Sequence, residues 1–200
     1  MIPVALQPEP AIFDERVRKR GQYWLREQGW PLEAPPVDAS QLPAYWRETQ
    51  KELWTAYGGI CAYLCIYFEW PLGAQSTDHF VAKSSHAGQA YEWNNFRLSC
   101  LGANRNKNRF DDVLDPFEIA SETFTLNFDS GEIRVNSSLL EDVRLTADQT
   151  IRRLKLDAPE CNRMRAEHYE FYVQGDVSAN YLQRKSPFVW QEMVRQGLLP

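Results

Sequence analysis

Apolar positions recur at helical spacing early in the chain. Phe13, Val17, Tyr23 and Trp24, with charges between them, predict an amphipathic helix over 13–28 that stops near Gly29. Pro31, Pro35, Pro36 and Pro43 forbid regular structure after it. Over 44–57 the helical pattern resumes, with Tyr45, Trp46, Leu53, Trp54 and Tyr57 on one side and Gly58-Gly59 as the stop. The aromatic and β-branched run over 60–70 predicts a buried strand, turned by Pro71 and Gly73. A second short strand is predicted over 76–81 and a third over 93–99, and the polar run Asn104-Arg-Asn-Lys-Asn-Arg109 opens a helix. Beyond Pro116, the segments 124–128 and 132–135 flank Asp129-Ser-Gly131 as a hairpin would. Helices are expected over 147–156, 159–174 and 187–196. The chain has no internal repeat, and the order of elements predicts an α+β fold.

Composition narrows the class. Of 200 residues 44% are hydrophobic, with 10 Phe, 9 Tyr and 7 Trp, enough for one sizeable core and too many for a disordered chain. The longest apolar run ends at Glu69, well short of the ~20 residues a membrane span needs, so no membrane association is expected. The first ten residues carry neither a basic nor a long apolar region, so a cytoplasmic location is expected. Four cysteines are too few for a secreted disulfide scaffold, and thiols are expected.

Charge first points away from nucleic acid. With 22 Lys+Arg against 27 Asp+Glu the net charge is -5, the wrong sign for binding a polyanion by bulk electrostatics. The distribution changes this picture, because residues 78–109 hold five cations against two carboxylates. A basic floor thus lies in an acidic body. Such a chain should bind nucleic acid weakly by itself and need a partner to deliver substrate.

Within that basic stretch Asp78 and His79 adjoin on a predicted strand, Asn95 opens the next, and Asn104 opens the helix. An Asp carboxylate and an Asn carbonyl are the oxygen ligands a hard divalent cation takes. An imidazole beside them can accept a proton from water, provided a partner holds its tautomer. In their order these residues resemble the site of HNH, or ββα-metal, nucleases. Carried over, the resemblance implies Asp78 and Asn104 as ligands of Mg2+ or Mn2+, His79 as general base, and Asn95 as the residue that orients His79. Lys107, one turn after Asn104, would meet a phosphate, with Arg105 and Lys83 as further phosphate contacts.

The likeness is closer to the HNH endonucleases found beside retrons and in Septu-type antiphage systems. It is carried by Cys61-Ala-Tyr, Asp78-His-Phe-Val-Ala-Lys-Ser84, Trp93-Asn-Asn-Phe-Arg-Leu-Ser-Cys100, Asn104-Arg-Asn-Lys107 and Leu114-Asp-Pro116. It continues in Thr150-Ile-Arg-Arg-Leu-Lys-Leu156, Arg163 and Arg165, and so covers most of 44–172. The resemblance implies a ββα-metal core in a mostly helical domain with an added β-hairpin. It also implies a nuclease effector of a bacterial antiphage defence system, acting on DNA in preference to RNA, with an SMC-like or ABC-like ATPase subunit as partner. Related proteins often bind structural zinc through two Cys-x-x-Cys pairs. Here Leu64 and Ala103 stand where the second members would be, and Cys65 is displaced by one position, so the zinc site is expected to be lost.

Three segments are expected: 1–43, an N-terminal helix and Pro-rich connector that could contact a partner; 44–120, the nuclease core; and 121–200, hairpin and helices packed on it. His86 and His168 read as solvated residues, Asp111, Asp112 and Asp115 as turn residues, and Trp54, Tyr57, Tyr63 and Trp93 as core. The competing readings are a non-catalytic subunit that keeps the ββα shape, and an RNase acting on tRNA.

Overall fold

The computed structural model describes residues 1–199, and its fold is α+β. Among these residues there are seven α-helices and two two-stranded antiparallel sheets. None of the helices is long and apolar enough to cross a membrane. The chain divides into two compact units. One is built from residues 6–59 and 69–111, the other from 1–5, 60–68 and 112–200.

In the first unit Phe13 and Val17 are fully buried, and a π-helical turn, Asp14–Arg18, leads into α1, Lys19–Glu27. Gly21 of α1 lies flat against Tyr91, where a Cβ would fall 2.1 Å from the ring. The connector that follows is ordered by backbone bonds: Leu32 O and Ala34 O accept from Gly88 N and Ala87 N. A 3-10 turn, Tyr45–Thr49, runs into α2, Gln50–Ala56, and Gly58 and Gly59 stop the helix with positive φ. Strand β1, Gln75–His79, pairs antiparallel with β2, Phe96–Cys100, setting Asp78 opposite Arg97 and His79 opposite Phe96. Helix α3, Leu101–Lys107, follows β2 without a loop and ends at Asn108, whose φ of 52° cannot continue it. The core is aromatic. Phe13 meets Trp93 and Phe96 edge-on at 5.4 and 5.5 Å, and Trp46 meets His79 at 4.7 Å.

In the second unit the strand expected over 60–70 is instead a closed loop. Ile60 and Tyr67 form an isolated bridge, and Cys61 O accepts from Cys65 N at 2.8 Å. Cys65 has positive φ. Cys61, Ala62, Tyr63 and Cys65 are all buried, so the apolar run reports burial rather than extension. The hairpin forms as β3, Phe124–Leu126, and β4, Ile133–Val135. Helices α4, Glu141–Leu154, and α5, Pro159–Val173, follow, and α6, Ala179–Lys185, precedes α7, Pro187–Arg195. Helix α4 begins six residues before its apolar stripe, because Glu141 and Asp142 favour the first turn. Arg165 is wholly buried, and its guanidinium donates to Gly131 O and Leu156 O at 2.8 and 2.7 Å and to Asn162 Oδ1.

Candidate functional site

Strand β1 ends in two adjacent polar residues, Asp78 and His79, and both line one cleft. Ser76 and Asp78 lie on the α3 side, where Asn104 Nδ2 donates to Ser76 Oγ. Lys107 Nζ stands 3.5 Å from Asp78 Oδ2 on that side. The His79 ring packs edge-on to Trp46 and Phe96. Both Asp78 and His79 are buried, at 2% and 9% exposure.

The His79 ring is held in one tautomer. Nε2 lies 3.1 Å from Ala90 O, an atom that can only accept, so Nε2 carries the proton and Nδ1 the lone pair. Burial, with Lys83 and Lys107 nearby, pushes its pKa down to about 3, so the ring is neutral across the physiological range.

Asn95 was expected to hold that ring, and its amide is engaged elsewhere. Oδ1 accepts from Val81 N at 2.8 Å, while Nδ2 donates to Val81 O and Gln89 O at 3.0 and 2.9 Å. Asn95 therefore ties both ends of the loop between β1 and Ala90. The same loop is anchored by Asp111, which accepts from Ala82 N at 3.2 Å and Ser85 Oγ at 3.4 Å. Ala90 O, Asp111 and the carbonyls of the Pro-rich connector had no signal in the sequence, since their roles depend on the path of the loop.

Lys107 also differs from expectation. It is fully buried, and its Nζ donates to His79 O and Phe80 O at 3.1 and 2.9 Å, so it cannot meet a phosphate in solvent. It braces the end of β1 from behind. Helix phase explains the difference: Leu101, Asn104, Arg105 and Asn108 share the open face, whereas Ala103 and Lys107 lie on the buried one.

That open face lines a cleft of about 700 Å³ with Asp78 and His79 at its floor. Arg105 and Arg109 stand on the α3 side, Lys83 comes from the loop after β1, and Arg47 and Gln50 come from the 3-10 turn and α2 opposite. Four cations thus surround one carboxylate. The Lys83 ammonium lies 4.7 Å over the Trp46 ring, and its pKa is lowered by burial and by Arg47. Arg47 and Arg109 were not singled out as site residues from sequence. The cluster of basic residues over 105–109 was a signal for Arg109, and nothing marked Arg47.

The donors around Asp78 fit a hard divalent cation. One carboxylate, and the amide oxygen that Asn104 keeps while its Nδ2 serves Ser76, are the types of oxygen donor that such a cation takes. Among the described residues no three His, Cys, Asp or Glu side chains group as a metal site. Among the described residues no cysteine forms a disulfide; Cys65 Sγ accepts from Ile2 N at 3.3 Å, and burial raises its pKa. Outside the cleft, His86 is half-buried with an unpartnered Nδ1, and His168 is half-buried with its pKa lowered by burial. No family model matches this chain, and no curated protein is significantly similar to it.

Proposed function

We propose that β1, β2 and α3 form a ββα-metal core of the HNH type, and that this chain is a divalent-metal-dependent endonuclease. One observation carries the reading. Asp78, His79 and Asn104 open on a single cleft whose other charged side chains are Arg47, Lys83, Arg105 and Arg109. A neutral imidazole, an oxygen-donor pair and a cationic wall are the parts that phosphodiester hydrolysis needs.

Asp78 and the Asn104 amide oxygen are the groups that would hold Mg2+ or Mn2+. When bound, the cation offsets negative charge that develops on the phosphate and the leaving oxygen. His79 Nδ1 takes the proton of the attacking water while Ala90 O steadies the resulting imidazolium through Nε2. Arg105 and Lys83 hold the phosphate. Asn95 acts at one remove, by fixing the loop that carries Ala90 and Lys83. The same reading makes the chain the nuclease subunit of a bacterial antiphage system, with an SMC-like or ABC-like ATPase that delivers substrate. The net charge of -5 supports dependence on such a partner.

A second reading rests on Lys107. Its ammonium, 3.5 Å from Asp78, gives the carboxylate an internal counter-ion, which favours a subunit that binds nucleic acid without cutting it. Cleavage separates the two. With Mg2+ or Mn2+ the chain, alone or with its operon partner, converts plasmid or tRNA to fragments, and His79→Ala abolishes this with an unchanged circular dichroism spectrum. Full activity in His79→Ala rejects the catalytic assignment.

A further inference from the structure

We infer that the cleft takes an unpaired nucleic-acid strand and excludes a duplex; this rests on the nuclease reading above and names its substrate class. A helix that reads a duplex enters a groove about 12 Å wide, and must be free on its reading face. The face of α3 that bears Asn104 and Arg105 has no such freedom. The segment carrying Ala39, Trp46, Arg47 and Gln50 lines the opposite side of the same cavity. Gln50 Nε2 reaches Gln75 O at 3.5 Å, bringing that wall onto the start of β1. The floor is recessed as well, because Asp78 and His79 are almost wholly buried.

The volume agrees. About 700 Å³ lies inside the range of pockets for compact ligands, ~300–1,000 Å³, which is room for about one or two nucleotides. A flexible strand can lower one phosphodiester onto the floor, with Arg47 on one side of its backbone and Arg105 on the other. Grooves that track single strands combine cations with apolar contact surface in this way. Leu101, 39% exposed at the mouth, offers that surface to a base or sugar. Arg47 is then a substrate-binding residue contributed by the wall rather than by β1, β2 or α3.

The test is binding, which does not require turnover. Fluorescence anisotropy with the full chain in low salt compares a 12-nucleotide single strand, as DNA and as RNA, with its duplex. At least one single strand binds ten-fold or more tighter than the duplex, and Arg47→Ala weakens that binding five-fold or more while the chain stays folded. A duplex that binds equally well or better overturns the inference. So does an Arg47→Ala variant with unchanged affinity, or failure of every probe to bind. Single-strand binding without hydrolysis in Mg2+ or Mn2+, with the partner present as well as without it, rejects the nuclease reading and leaves this inference standing. Hydrolysis of duplex with no single-strand preference does the reverse.

Discussion

Lys107 and Asn95 show how a residue can serve a site without facing it. The Lys107 ammonium satisfies two carbonyls at the end of β1 and stands beside a buried carboxylate. Lys107→Met removes all three interactions from a dry environment, and breaking a buried ion pair costs about 3–5 kcal/mol. Urea unfolding should register a loss of about 3 kcal/mol, against less than 1 kcal/mol for the exposed Arg109→Ala. Asn95→Ala frees Val81 N and the two carbonyls that its amide served. The expected result is a fall in kcat of ten-fold or more, with a smaller rise in KM because Lys83 rides on the loosened loop while Arg105 stays in place. Asp78, His79 and Asn104 were legible because residue type and order define them. The partners of Asn95 and Lys107 were not, because an amide or ammonium bonds whichever carbonyls the folded loop presents.

At the scale of elements, the pairing of β1 with β2 and helical phase in α3 bring the site together, and a close approach fixes what stands behind it. Gly21→Ala drives a methyl into the ring of Tyr91, which packs on Trp46 and so on His79. Overpacking of this kind costs about 1–3 kcal/mol, and differential scanning calorimetry should show the lower Tm. The strands expected over 76–81 and 93–99 form as 75–79 and 96–100, the second starting late because Trp93–Asn95 is a 3-10 turn. The run over 60–70 was not legible, because a buried loop and a buried strand share the same composition, and the Cys61–Cys65 backbone bond that decides between them leaves no periodic trace. In the second unit α4 is tied to the segment entering it by Arg153, whose guanidinium meets Asp112 at 2.7 Å. That pairing holds the Asp112 carboxyl at about 2, below its ordinary 3.8. Its stabilisation is therefore complete above about pH 4 and is lost as the pH falls through 2. The pair is mostly exposed, so the loss is no more than about 1 kcal/mol. Acid titration of Asp112→Asn should show a shallower decline across that window.

For the whole molecule, a net charge of -5 and a cleft bearing four cations are compatible because the positive charge is concentrated where substrate would lie. Binding should then be weak and strongly dependent on salt. Single strands release counterions with a slope of about -0.7 per neutralised phosphate. Three or four contacts predict a slope of log affinity against log salt of about -2 to -3, reduced in magnitude by about 0.7 when Arg105 is replaced by Ala. The central claim, that Asp78 and His79 belong to a hydrolytic centre, is tested most directly by the cleavage rate of a fluorescently tagged strand. Wild type and Asp78→Ala are compared in Mn2+ and again in EDTA, with the operon partner present. The account predicts product only for wild type in Mn2+, and a variant at least ~100-fold slower. Equal rates for the two chains, or undiminished cleavage in EDTA, would contradict it.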